Sequence, residues 1–103
     1  MSQQENKVQK EIQDYLESIG AYRFKVHGEI FMRAGIPDII ACLNGRFIGI
    51  EVKDGNNKPS ELQLAHGRQI KKSGGIFGVA YSVEDVKKLL RENNLAFIVS
   101  ISK

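Results

Sequence analysis

Asn44-Gly45 separates two runs rich in β-branched and apolar residues, Ile36 to Leu43 and Phe47 to Lys53. A two-residue β-hairpin turn of the type I′ class needs positive φ at both central positions, which Asn and Gly tolerate, so this dipeptide is the strongest short-range hairpin signal a chain can carry. A hairpin hinged there fixes its own register. Leu43 faces Arg46, and Asp38 faces Glu51. Because side chains alternate along a strand, Ile39, Ala41, Leu43, Ile48, Ile50 and Val52 form one wholly apolar face. The other face carries Asp38, Glu51 and Lys53 at one end, with Ile40, Cys42, Phe47 and Gly49 nearer the turn.

The remaining pattern surrounds this hairpin with helices. Val8, Ile12, Tyr15, Leu16 and Ile19 recur at helical spacing, which predicts a first helix over 5–19 closed by Gly20. Tyr22, Phe24 and Val26 alternate with Arg23, Lys25 and His27, the period of a strand with an apolar buried face and a basic exposed one. After the polar stretch Gly55-Asn56-Asn57-Lys58-Pro59, Ser60 is placed to cap a helix from Glu61 to about Lys72, before Gly74-Gly75. Ile76 to Tyr81 reads as a buried strand, Ser82 caps a short helix carrying Val83, Val86, Leu89 and Leu90, and Leu95 to Ile101 reads as a last strand. The predicted order is α, three antiparallel strands, α, β, α, β. This is one α/β domain over 1–103 with a mixed sheet.

Composition narrows the class. A chain of 103 residues, 42% hydrophobic and 26% charged, is near the size of one compact domain and unlike a disordered, collagenous or coiled-coil sequence. No apolar run is longer than that from Ile39 to Leu43, which is far short of a membrane span. The first seven residues contain no apolar signal core, and a single cysteine excludes an internal disulfide framework, so a cytoplasmic protein is expected. Fifteen Lys and Arg against twelve Asp and Glu give +3, which permits a nucleic-acid partner without requiring one.

Chemistry concentrates at Asp38 and Glu51. Two carboxylates at cross-strand distance repel unless something positive lies between them. A divalent cation answers that need, since Mg²⁺ is commonly held by one or two carboxylates together with water, lowers the pKa of a bound water and polarises a phosphoryl oxygen. Lys53, on the same face, is placed to stabilise charge developing on a phosphate. The plain alternative is a surface ion pair at a strand end.

The wider string favours the first reading. Gly35-Ile36-Pro37-Asp38, a gap of 12 residues, and Glu51-Val52-Lys53 resemble the two halves of the PD-(D/E)XK nuclease motif. With the Asn-Gly hairpin, Pro59-Ser60-x-x-Gln63 and Gly74-Gly75, the chain from Glu5 to about Leu90 resembles the VRR-NUC family, whose modules occur alone in phage and bacterial proteins. The resemblance implies a restriction-endonuclease-like fold and a Mg²⁺- or Mn²⁺-dependent nuclease hydrolysing DNA phosphodiester bonds. It implies Asp38, Glu51 and the Val52 carbonyl as metal ligands and Lys53 as the catalytic lysine. It also implies a glutamate on the first helix and a glutamine on the second. The glutamine maps onto Gln63, which in Ser60-x-x-Gln63 is equally placed for a capping box. Of the two candidate glutamates, Glu5 lies within the apolar stripe of the helical wheel and Glu11 outside its edge, so Glu5 is favoured. Ser2-x-x-Glu5 also reads as a capping box.

Arg23, Lys25, Arg33 and Lys58 are the expected phosphate contacts, with Arg68, Lys71 and Lys72 equally explained by the dipole of their helix. No base-reading element is visible, which favours structure-selective cutting of branched or Holliday-junction-like DNA by a homodimer, in a bacterial or phage-infected host cytoplasm. His27, His66 and Cys42 lack metal-ligand spacing, and no phosphate-binding loop points to a nucleotide cofactor. The alternatives from other classes are a non-catalytic DNA-binding or assembly module on the same fold, and a small interaction domain with a charged strand end.

Overall fold

The computed structural model describes residues 2–27 and 34–95. Arg33 and the strand expected beyond Leu95 lie outside the described residues. Helix α1 (Gln3–Ser18) leads into strands β1 (Tyr22–Lys25), β2 (Ile39–Leu43) and β3 (Arg46–Val52), then α2 (Glu61–Lys72), β4 (Ile76–Ala80) and α3 (Val83–Glu92). The strands form one sheet in the order β1-β2-β3-β4, antiparallel except for the β3–β4 pair, which α2 connects in parallel. This is the mixed sheet flanked by helices that the sequence predicts, in the predicted order.

The hairpin takes the expected register. Asn44 (φ 53°) and Gly45 (φ 79°) make the turn, and Leu43 pairs Arg46, Ala41 pairs Ile48 and Ile39 pairs Ile50. β2 starts at Ile39, not Ile36. Pro37 has no amide to give a ladder, and Gly35 turns the chain at φ 86°, where a Cβ would lie 2.7 Å from Leu62 Cγ and 2.8 Å from His66 Cδ2. α1 begins at Gln3, two residues before the expected start at residue 5, because Ser2 caps it through the Glu5 amide.

The core lies between the hairpin's apolar face and helices α1 and α3. Ile12, Leu16, Ile39, Ile48, Ile50, Val86 and Leu90 are fully buried there, and each large aliphatic side chain so buried contributes roughly 1.5–3 kcal/mol. α2 packs on the opposite face over β3 and β4, where Gly67 lies against the Phe77 ring and Gly49 leaves room for Pro37 and Ile70. Among the described residues no helix is long and apolar enough to cross a membrane.

β1 corrects one expectation. Its alternation holds, but the faces are inverted. Arg23 pairs with Ala41 and so stands on the α1 side, where its guanidinium donates to Gln13 (3.2 Å) and pairs with Glu17. Lys25, paired with Ile39, is on the same side. Tyr22 and Phe24 point to the other side and are 72% and 45% exposed. Alternation says which residues share a face, and only tertiary packing says which face is covered; here α1 settles it, with the arginine stem lying along the helix.

Candidate active site

Asp38 and Glu51 meet where β2 and β3 part. The ladder between them ends at Ile39–Ile50, one pair short of the carboxylates. Beyond it β3 continues along β4, through Glu51–Val79 and Val52–Ala80, while the Asp38 carbonyl accepts from the Val26 amide at 2.8 Å. In place of the missing rung, Asp38 Oδ2 accepts from the Val52 amide at 2.8 Å. The sequence around Asp38 explains its aim: Gly35 lets the chain press on α2, Pro37 seats over Gly49, and Asp38 is turned towards β3.

Glu51 is 1% exposed and surrounded by its partners. Its Oε2 accepts from Gln63 Nε2 at 2.5 Å and lies 3.8 Å from Lys53 Nζ, and the carboxyl shares a side-chain hydrogen bond with Asp38. Burial pushes the Glu51 carboxyl up to about 8, helped by the Asp38 charge and more weakly by Glu5, with Lys53 acting in the opposite sense. Asp38 is also raised, chiefly by burial, against the Val52 amide and Lys53. Two desolvated, mutually repelling acids favour a proton, or a cation in its place, between them.

The donors fit a hydrated divalent ion. Glu51 Oε1 is buried without a hydrogen-bond partner, an acceptor that a buried carboxylate seldom leaves unused. Among the described residues there is no group of three or more His, Cys, Asp or Glu side chains that could hold a metal by themselves. A pair of carboxylates suits a hard divalent ion that keeps several waters.

Both helix-borne candidates do two things. Gln63 closes the capping box of α2, its Oε1 accepting from the Ser60 amide at 2.7 Å while its Nε2 holds Glu51. Glu5 closes the capping box of α1, with Oε1 accepting from the Ser2 amide at 3.3 Å, and stands close enough to raise both acids. Glu11 is exposed on the outside of α1. Gln9, one turn after Glu5, is buried against the sheet. Lys58 is exposed on the loop after β3.

A strap around the site was not foreseen. Ser2 Oγ donates to Asp54 Oδ2 (2.5 Å), Asn57 Nδ2 to Asp54 Oδ1 (2.7 Å), and the Tyr81 hydroxyl to the Asn57 carbonyl (2.7 Å). These bonds hold the Asp54 carboxyl below the usual range and tie the start of α1 to the strand end that carries Glu51 and Lys53. Ser2 and Asp54 are 52 residues apart, and no periodicity links them.

No protein-family model and no curated protein matches the sequence. Among solved structures, one described as a VRR_NUC domain is 33% identical, with a TM-score of 0.73 over 87% of this chain and 97% of its own. The chain belongs to the VRR_NUC family. A second VRR_NUC domain protein, 21% identical, superposes with a TM-score of 0.64 over 89% of this chain and 88% of its own. Hjc of Archaeoglobus fulgidus, a Holliday junction resolvase, is 20% identical with a TM-score of 0.57 over 73% of this chain and 65% of its own, a likeness of fold. VRR_NUC is a nuclease family, and this member carries Asp38, Glu51 and Lys53 on one end of its hairpin.

Proposed function

We propose that this VRR_NUC domain is a metal-dependent endonuclease that hydrolyses DNA phosphodiester bonds, with Asp38 and Glu51, and the Val52 carbonyl beside them, holding Mg²⁺ or Mn²⁺. The observation that carries the reading is the buried Glu51 carboxylate, pressed against Asp38 and left with an unused oxygen. When bound, the ion supplies an acidified water and a positive charge for the phosphoryl oxygen. The protein supplies the rest. Asp38 is fixed by the Val52 amide and Glu51 by the Gln63 amide, so neither carboxylate has to reorganise when substrate arrives. The Lys53 ammonium, one-fifth exposed beside Glu51, reaches the open side and stabilises the charge that builds on the scissile phosphate. Glu5 adds negative charge behind the pair and strengthens its hold on a cation.

Lys58, exposed on the loop that joins the Glu51 strand to the Gln63 helix, is a phosphate contact in this reading. The domain is small and shows no base-reading helix among its described residues, which supports selection by DNA shape and, with the resolvase activity named for the A. fulgidus neighbour, branched DNA cut by a homodimer. The alternative of a non-catalytic module is weakened by the acids themselves, because phosphate binding calls for donors and not for paired carboxylates. Incubation with supercoiled plasmid and with synthetic four-way junctions, with and without Mg²⁺ or Mn²⁺, tests the reading. Cleavage only with metal and preferentially of the junction is expected; equal cleavage in EDTA, or none of any DNA with either ion, refutes it.

A further inference from the structure

The first turn of α1 contains no apolar residue. Gln3, Gln4, Asn6 and Lys7 are exposed, Glu5 is half-buried, and the first buried apolar side chain of the helix is Val8. Helix ends without such an anchor fray. Yet this turn carries Glu5, whose charge bears on both Asp38 and Glu51. What fixes the turn is polar. Ser2 Oγ accepts from the Glu5 amide at 3.0 Å and donates to Asp54 Oδ2 at 2.5 Å, while the Ser2 amide donates to Glu5 Oε1 at 3.3 Å.

Asp54 is itself held from the side of the sheet. Its Oδ1 accepts from Asn57 Nδ2 at 2.7 Å, and its carbonyl accepts from the Asn57 amide at 3.0 Å, closing a turn through Gly55. The Asn57 carbonyl in turn accepts from the Tyr81 hydroxyl at 2.7 Å, and the amide of Lys53, one residue before Asp54, donates to the Ala80 carbonyl at 3.1 Å. The Oδ2 that meets Ser2 is therefore aimed by the ends of β3 and β4 and not by α1. Support runs from the sheet to the helix.

We infer that Asp54 is a positioning residue: through Ser2 it pins the first turn of α1 to the strand end that carries Glu51 and Lys53, keeps Glu5 beside the acid pair, and thereby sets how tightly that pair takes a divalent cation. The inference rests on the metal-binding reading above and adds to it a residue that acts through Glu5. Without the Ser2–Asp54 bond the turn frays and Glu5 swings into water, where its charge is screened. Partners of this outer kind are worth roughly ten- to a hundredfold in metal affinity.

Mn²⁺ titration calorimetry without DNA reads the effect directly, because no cleavage is involved. Ser2→Gly removes the hydroxyl without altering charge, and glycine caps a helix only a little less well than serine. This variant is expected to weaken Mn²⁺ binding roughly tenfold, while the melting temperature of the metal-free protein scarcely moves. Ser2→Asn, whose side chain brings an acceptor for the Glu5 amide and a donor for Asp54, is expected to restore wild-type affinity. Asp54→Ala is expected to lose at least as much as Ser2→Gly, and the two together no more than Asp54→Ala alone, since both remove one bond. Unchanged affinity in Ser2→Gly, no recovery in Ser2→Asn, or additive losses in the double variant would overturn the inference and leave the metal site standing. A wild type that takes up no Mn²⁺ would overturn the metal reading itself, and the inference with it.

Discussion

Gln63 grips Glu51 with one atom of its amide and its own helix with the other: Nε2 donates to Glu51 Oε2 at 2.5 Å, and Oε1 accepts from the Ser60 amide at 2.7 Å. Any motion of the α2 start is thereby passed to the buried carboxylate. Gln63→Ala loses both bonds and is expected to cost about 2 kcal/mol. Gln63→Glu keeps the capping box but sets a third acid against Glu51. Thermal melts are expected to show the glutamate variant closer to wild type at pH 5 than at pH 8, and cleavage assays to show both variants impaired. A glutamate variant with full activity would reduce Gln63 to a cap.

The acid pair trades stability for function. Asp38→Asn and Glu51→Gln remove charge from a repulsive, desolvated pair, so the metal-free variants are expected to melt at or above the wild-type temperature. Cleavage is expected to fall at least roughly a hundredfold in each, and in Lys53→Ala, which removes the ammonium 3.8 Å from Glu51. Variants that lose activity only through unfolding would show lowered melts and contradict this account.

The raised Glu51 carboxyl gives the metal-free protein a defined pH dependence. Its proton is held more tightly in the folded chain, up to about 8 against an ordinary 4.5, so this contribution to stability is complete below pH 4.5 and is lost as pH rises through about 8. Chemical denaturation from pH 5 to pH 8.5 is expected to show wild type weakening while Glu51→Gln stays level. Mg²⁺ competes with that proton, so it is expected to raise the melting temperature at pH 8 and scarcely at pH 5. A metal effect independent of pH would place the ion elsewhere.

Most of the scaffold was readable because its determinants are local. Asn44-Gly45 alone sets the hairpin register, and the Ser60-x-x-Gln63 spacing places the start of α2. The carboxylates followed from alternation along the two strands. What could not be read depends on contacts between distant segments. Whether Arg23 or Tyr22 faces inward depends on α1 lying against one side of β1, and the Ser2–Asp54 bond joins residues with no common pattern. The ladder's end before Asp38 was equally hidden, since it follows from β3 leaving β2 for β4.

The inversion of β1 changes which cations should meet DNA. Arg23 is already held by Gln13 and Glu17 on the α1 side, so Arg23→Ala is expected to lower stability by about 1 kcal/mol, through lost packing and a weak ion pair, and to leave DNA affinity little changed. Lys58, exposed on the loop beside the site, has no such partner among the bonds that strap that loop through Asp54, Asn57 and Tyr81. If it neutralises one phosphate, Lys58→Ala weakens binding to junction and duplex alike and reduces the slope of log affinity against log salt by about one. Fluorescence anisotropy at several salt concentrations separates the two residues. A flattened slope in Arg23→Ala with none in Lys58→Ala would move the DNA track to the α1 face and away from Lys53.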